Sequence, residues 1–336
     1  MRAFSDFGTP MLIGEGYRTF PVLIYTQFIS EVGGNSAFAI MAIIIALAIF
    51  LIQKHIANRY SFSMNPLHPI EPKKTTKGKM AAIYATVYGI IFISVLPQIY
   101  LIYTSFLKTS GMVFVKGYSP NSYKLAFNRM GSAIFNTIRI PLIALVLVVL
   151  FATFISYLAV RKRNLFTNLI DSLSMVPYIV PGTVLGIAFI SSFNTGLFGS
   201  GFLMITGTAF ILIMSLSARR LPYTIRSSVA SLQQIAPSIE EAAESLGSSR
   251  LNIFAKITTP MMLSGIISGA ILSWVTLISK LSTSILLYNV KTVAIYTEVL
   301  RGNYGVAAAL STILTVLTVG SLLLFMKISK SNSITL

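Results

Sequence analysis

The stretch SLSMVPYIVPGTVLGIAFISSFNTGLFGSGFLMITGTAFILIMSLSA, residues 172–218, runs for 47 residues without Asp, Glu, Lys, Arg or His. A helix needs about 20 predominantly apolar residues to cross the hydrocarbon core of a bilayer, so a run of this length predicts two crossings. Its middle supplies the break, because Asn194-Thr195-Gly196-Leu197-Phe198-Gly199-Ser200-Gly201 is rich in turn-forming residues. Working outward, five further uncharged runs are each long enough for one span: Val32–Gln53, Met80–Leu107, Ile140–Val160, Ile257–Ser279 and Gly302–Met326. The expected fold is therefore all-α, a polytopic membrane protein with about seven transmembrane helices.

Composition agrees. Hydrophobic residues make up 54% of the chain and charged residues 10%, with a mean hydropathy of +0.78. A soluble domain needs about 25% charged residues to cover its surface. Met1–Phe20 has no basic segment followed by an apolar one, so no cleavable signal is expected there. Cysteine is absent, which excludes disulfides and thiolate metal sites. The two histidines, His55 and His68, share one polar segment and leave no imidazole-based metal or catalytic site; no cofactor is expected in this chain.

A net charge of +17 raises nucleic acid as a partner, but in a polytopic chain basic clusters report orientation. Sixteen of the 26 Lys and Arg residues fall in 54–79, Arg161–Arg163, 218–260 and the C-terminal tail, all on one side of seven alternating spans. The opposite loops hold eight. The bias predicts an N-terminus outside and a C-terminus in the cytoplasm, with lipid rather than nucleic acid as the surrounding partner.

The two ends of the chain resemble each other. Ser5-Asp6-Phe7-Gly8-Thr9-Pro10 stands where Ser279-Lys280-Leu281-Ser282-Thr283-Ser284 stands later. Val22-Leu23-Ile24-Tyr25-Thr26 matches Val293-Ala294-Ile295-Tyr296-Thr297, and Asn35-Ser36-Ala37-Phe38-Ala39 matches Asn303-Tyr304-Gly305-Val306-Ala307. Three blocks in the same order point to duplicated halves, which transporters use to build a path between them. On this reading 1–53 carries the last transmembrane segment of an incomplete first half. Residues 54–79, with Pro66, Pro69 and Pro72, form a cytoplasmic linker, and 80–330 is a complete six-helix half.

Within 218–260 lies Ile239-Glu240-Glu241-Ala242-Ala243-Glu244-Ser245-Leu246-Gly247, followed after nine residues by Ile257-Thr258-Thr259-Pro260. Pro237-Ser238 ahead of Glu240-Glu241 reads as a helix start, with Ser238 able to cap and the carboxylates at the positive end of the dipole. Ala242, Ala243 and Leu246 give a short helix with a small-residue face, and Gly247 is a C-terminal stop. The pattern resembles the EAA loop of ABC importer permeases: Glu-Ala-Ala, three residues, Gly, nine residues, then Ile-x-Leu-Pro. Glu241, Ala242, Ala243, Gly247, Ile257 and Pro260 fall in place, and Thr259 stands where the family has Leu. Val176–Gly186 and Ser5–Pro10 resemble segments of the ferric-iron branch of that family, which shades into thiamine, polyamine, sulfate and aminophosphonate importers.

The resemblance implies a type I (MetI-like) permease fold in a bacterial inner membrane, working by alternating access. It implies partners too: ATP-binding subunits (two copies) gripping the short helix, an extracytoplasmic binding protein, and a second permease half or chain. ATP would be bound by the partner subunits, since no Gly-x-x-x-x-Gly-Lys-Ser/Thr occurs in these 336 residues and the chain is not expected to be an enzyme. A secondary transporter would have similar helices without needing that loop. Pro177, Pro181 and Gly182 within one span are either a bend lining the pathway or a packing kink. Lys280, where the resembled family carries an acidic residue, either pairs with its repeat counterpart Asp6 or snorkels to water. Asp171 reads as a loop charge beside Arg161–Arg163; Trp274 and the tyrosines fit in part as interface anchors and are assigned no role.

The charge bias generates a test. Single cysteines placed in this cysteine-free background should label from the cytoplasm at Ser63 and Ser248 and from outside at Ser119. External labelling at Ser248 would reject the topology.

Overall fold

The computed structural model describes residues 10–11, 14, 16–17, 19–30, 36–59, 76–110, 112–162, 164–194, 201–202, 204–278 and 294–332. In chain order these form helices α1 (Phe20–Ser30), α2 (Ser36–Arg59) and α3 (Lys77–Ser105), then a hairpin of β1 (Leu107–Ser110) and β2 (Val113–Tyr118). Helices α4 (Asn121–Arg161), α5 (Leu165–Ile179), α6 (Gly182–Phe193), α7 (Ala209–Leu232) and α8 (Ser238–Ser245) follow. After them come α9 (Arg250–Met261), α10 (Leu263–Ile278), α11 (Ala294–Leu300) and α12 (Tyr304–Asn332). The fold class is that expected from the apolar runs: among the described residues the regular elements are helices, apart from one short hairpin.

Among the described residues α3, α4 and α12 are by themselves long and apolar enough to cross a membrane. The pair α9 and α10, bent by 69°, makes a fourth if it is one span. The bend has an identifiable cause. Pro260 has no N–H to donate, and the chain just before it relaxes into a π-turn over Phe254–Thr258, where the Thr259 N–H reaches back to the Phe254 carbonyl. The first half of the 172–218 run is also more than bent. α5 ends at Ile179, Val180 is extended (φ −67°, ψ 131°), and α6 restarts at Gly182 behind Pro181 (φ −56°, ψ 145°). Pro181 disfavours helical geometry at Val180, so the expected kink is a full break.

The hairpin was not legible as strand in the sequence. Ser110 lies opposite Val113, and the register slips between Leu107 and Lys108. That slip adds residues to β2, where Gly117 takes φ 115°, the left-handed side a bulge requires. α4 is broken in turn at Met130 (φ −124°, ψ 16°).

The described chain separates into two compact units. The first comprises Met1–Ile49, Ser132–Val293 and Leu317–Leu336. Its tightest packing is α7 against α10. A Cβ on Gly269 would lie 2.6 Å from the Thr224 Cα, and one on Gly265 would run into the Ser231 Cβ. Backbones this close let Thr224 and Ser273 share a 3.0 Å hydrogen bond between hydroxyls. Leu232, Ile235, Met262 and Ile266 form a buried cluster at one end of this pair, with Tyr157 and Val160 of α4 against it. Ile24, Ala42, Val180 and Val184 form another around the α5–α6 break. Trp274 is no interface anchor: it is buried, and its indole N–H donates to the Ser321 hydroxyl at 2.7 Å.

The second unit comprises Phe50–Gly131 and Ala294–Val316. Here the hairpin is seated on the start of α12, where a Cβ on Gly305 would meet the Thr109 Cγ2 at 2.6 Å and the Ser122 Oγ at 2.8 Å. Glu298, wholly buried, accepts from Asn303 Nδ2 at 2.7 Å and Arg301 Nη1 at 3.2 Å, pinning the corner between α11 and α12.

The close approach at Gly269 can be measured. Gly269→Ala should cost about 1–3 kcal/mol through overpacking, whereas Gly320→Ala, with open space around its Cβ, should be neutral or slightly stabilising. Thermal unfolding of the two variants in detergent separates them; equal melting temperatures would contradict the α7–α10 packing.

Candidate functional site

The segment between α7 and α10 is built as a projecting short helix with a stiff support. α7 continues to Leu232, well past Ala218 where the uncharged run ends, so Arg219, Arg220 and Arg226 lie on a helix rather than in a loop. α8 begins at Ser238. Ser238 does not cap it. Pro237 occupies the cap position in helical geometry (φ −57°, ψ −29°), and tight turns satisfy the first donors, with the Glu240 and Glu241 N–H groups both reaching the Pro237 carbonyl at 3.0 and 3.1 Å. With those donors satisfied by backbone, no side-chain cap is required. Glu240 and Glu241 stand in the first turn, on the positive end of the dipole.

The far end stops as expected. Gly247 has φ 88°, its N–H reaches the Glu244 carbonyl at 2.9 Å, and the Ser248 N–H reaches the Ala243 carbonyl at 3.1 Å. These two bonds are the Schellman pair, which needs a left-handed residue at the position Gly247 fills. Ser249 then starts α9, its Oγ accepting from the Asn252 N–H at 3.4 Å.

Support comes from Glu240, a residue absent from the sequence-derived site. Its Oε1 accepts from Arg161 Nε at 3.0 Å and from the Thr258 hydroxyl at 2.9 Å, while Arg161 Nη2 donates to the Ile235 carbonyl at 3.0 Å. The Arg161 and Glu240 side chains are only 12% and 14% exposed. The carboxylate thus ties the end of α4 to the π-turn of α9, and the Arg161 that it holds reaches on to the α7–α8 link. The sequence carries a signal in the adjacent acidic pair and the basic cluster at 161–163, but nothing in it pairs one with the other. Arg250 and Glu244 also pair, at 3.1 Å, yet both are exposed and such pairs contribute little.

The outward surface differs from the expected small-residue face in one respect. Ala242 and Ala243 are neighbours in sequence and so about 100° apart around a helix. Ala243 is buried against the support, whereas Ala242 is exposed beside Ile239 and Leu246. Leu246 and Leu251 are 88% and 79% exposed. Glu241 and Gly247 are exposed with them; Ile257 is half-buried in the π-turn, and Pro260 is exposed at its end.

The second candidate group is not assembled with the first. Pro177 lies in the last turn of α5, Pro181 caps α6, and Gly182 opens it, fully buried. Tyr178 packs edge-on against Tyr223 at 5.4 Å between ring centres, and Arg219 Nη2 stands 3.5 Å from the Val180 carbonyl. Arg219 and Arg220 are both buried. Asp171 lies on α5 rather than in a loop. Asp6 and Lys280 lie outside the described residues. Among the described residues no group of three or more His, Cys, Asp or Glu side chains is placed to hold a metal ion.

Comparison with known proteins fits this geometry. A ferric transport system permease protein FbpB from Actinobacillus pleuropneumoniae is 29% identical over 97% of this chain and 48% of its own length. A putative ferric transport system permease protein FbpB 1 from Haemophilus influenzae is 29% identical over 87% of this chain and 47% of its own. The chain spans about half the length of these curated relatives. A molybdate/tungstate transport system permease protein WtpB from Pyrococcus abyssi is 29% identical over 48% of this chain and 62% of its own. Among solved structures, a bacterial ABC transporter involved in alginate import superposes with a TM-score of 0.58 at 17% identity, covering 76% of this chain and 96% of that one. That likeness is one of fold. Residues 153–330, which include α5 to α10 and the whole projecting loop, match the model of one family. The chain belongs to the family of binding-protein-dependent transport system inner membrane components.

Proposed function

We propose that this chain is the membrane-spanning permease component of an ATP-driven, binding-protein-dependent importer, and that α8 is the helix through which separate ATP-hydrolysing subunits act on it. The observation that carries the reading is the construction of α8. A helix of eight residues is held from behind by a buried carboxylate and closed by a left-handed glycine; it presents Ile239, Ala242 and the capping Leu246 outward, with Leu251 of α9 exposed as well. Exposed apolar side chains on a rigidly supported short helix, beyond the apolar part of the chain, are suited to a protein groove. Glu241, Gly247, Ile257 and Pro260 complete the loop that the partner would grip.

The chain would sit in a bacterial inner membrane as a multi-pass protein of about seven spans, with the charged linker and α8 in the cytoplasm. The solute is ferric iron on the strength of the relatives that align along most of the chain; relatives named for molybdate/tungstate and for sulfate support other small solutes of the same importer class. A second permease half, or another chain, would complete the two-sided path. The helix order at the two ends supports that duplication: α1 precedes α2 as α11 precedes α12, short helix before long in both. ATP would be bound by the partner subunits, two copies for two coupling loops, and an extracytoplasmic protein would deliver the solute.

Gly247→Asp and Glu241→Lys should leave the chain inserted yet abolish co-purification with its ATPase or the stimulation of hydrolysis. Glu240→Ala should act through the support instead. It strands the Arg161 guanidinium, a loss of about 3–5 kcal/mol for a broken buried pair, and should weaken association in step with a lowered melting temperature. Unchanged substrate-stimulated hydrolysis in both Gly247→Asp and Glu241→Lys would reject the docking role.

A further inference from the structure

Just past the end of α3, the hairpin and the start of α4 enclose an open-sided cavity of about 220 Å³. Lys108 and Thr109 of β1 line it together with Ser119, Asn121, Ser122 and Lys124. Drug-sized ligands fill about 300–1,000 Å³, so this volume suits one small polar group. Its charge is one-sided. Lys108 and Lys124 bring two ammonium groups, and among the described residues neither takes part in a salt bridge. Residues 72–170 contain no Asp or Glu. In the 294–316 part of the same unit the one carboxylate, Glu298, is wholly buried and already accepts from Asn303 and Arg301. α4 also starts here with no acidic residue in its first turn, so the positive end of its dipole adds to the field. Ser122, only 3% exposed, lines the cavity from its protein side, and its hydroxyl has no hydrogen-bond partner among the described residues.

Position says where an anion would come from. α3 ends at Ser105, and none of its most apolar stretch is buried. Tyr100, Tyr103 and Tyr118 gather at this end, all exposed, with successive ring centres 6.2 and 6.3 Å apart. Exposed tyrosines at the end of a span mark the headgroup level of a bilayer. We propose that the cavity binds the phosphate of an anionic phospholipid. Lys108 and Lys124 act as point charges on it, and Thr109, Asn121 and Ser122 offer hydrogen bonds to the remaining headgroup oxygens. The acyl chains then lie against Ile99, Ile102 and Phe106, which are exposed at the same end of α3. A zwitterionic headgroup fits less well, because its ammonium finds no carboxylate. Free phosphate has the same chemistry at the two lysines, but it leaves the apolar surface beside them uncovered, as would a carboxylate of the delivery protein. The inference needs α3 to span a bilayer and holds whichever solute the importer carries.

The full chain, delipidated in detergent, is titrated with phosphatidylglycerol and, separately, phosphatidylcholine, and bound lipid is counted by native mass spectrometry. One phosphatidylglycerol should bind well ahead of the next, and about tenfold or more tighter than phosphatidylcholine. Lys108→Gln/Lys124→Gln should weaken that first event by about tenfold or more. Lys116→Gln/Arg129→Gln removes the same charge from exposed positions outside the cavity and should bind as wild type. Equilibrium dialysis against radiolabelled inorganic phosphate separates the two sources. Phosphate binding that is lost in Lys108→Gln/Lys124→Gln, with no preference between the two lipids, keeps the anion site and assigns it to the free ion. Equal weakening of lipid binding by the two double variants, or no loss of either probe in Lys108→Gln/Lys124→Gln, overturns the site. So does a delivery protein whose affinity falls in Lys108→Gln/Lys124→Gln while phosphatidylglycerol binding is unchanged. Neither probe involves the ATPase, so the result stands apart from the docking role of α8.

Discussion

The Glu240 carboxylate accepts hydrogen bonds from Arg161 and Thr258, and that single point of attachment governs how α8 can behave. Without it, a helix of eight residues joined by two turns would be a loosely hinged flap, since an isolated helix of that length is not stable in water. With it, α8 is fastened to the end of α4 and to the π-turn that leads into α10. The pair is worth having for position rather than for stability. Burying two charges costs much of what their attraction returns, but removing either one leaves the other stranded. An arrangement of this kind tolerates little play.

Stiffness continues beyond α8. The π-turn at Phe254–Thr258 and Pro260 fix the 69° bend into α10, and α10 meets α7 at glycine-to-backbone distance. α7 in turn carries Arg219 to the α5–α6 break. A push on the outer face of α8 therefore meets a continuous run of packed backbone and buried polar bonds before it meets any side chain free to absorb it. Physical continuity is what a coupled transporter needs, although continuity by itself does not measure coupling.

How much of this could be read beforehand depended on the kind of signal. Apolar runs set the helical fold, because lipid leaves only helices or closed barrels as spanning structures. The Gly247 stop was legible, since few residues other than Gly take φ 88° without strain. Burial was harder. Ala242 and Ala243 look alike in sequence, and only the rotation of α8 decides that one faces in and the other out. Ser238 looks like a cap, but Pro237 already has helical geometry and the backbone satisfies itself. Arg219 and Arg220 counted as loop charges, because a run of uncharged residues is a poor guide to where a helix ends when the helix has a protein-facing side. The hairpin escaped notice because its strands are short and lie beside a long apolar helix. Glu240 escaped because the importance of a carboxylate lies in partners 79 and 18 residues away.

The distribution of residues inside and outside has its own physics. In water, Ile and Phe gather in the core; here the large apolar side chains of α3 point outward along nearly its whole length, and the described interior is rich in Ala, Gly, Ser and Thr. Lipid removes the hydrophobic drive between helices, because a hydrocarbon tail is as good a neighbour as a leucine. Association must then come from close backbone approach and from hydrogen bonds such as those joining Thr224 to Ser273 and Trp274 to Ser321. A buried guanidinium stands out against such an interior more sharply than it would in a soluble core. Small residues give it room but little polarity, so its desolvation must be offset by nearby carbonyls, by hydroxyls or by something that binds. At the α5–α6 break the Val180 carbonyl stands 3.5 Å from Arg219 Nη2.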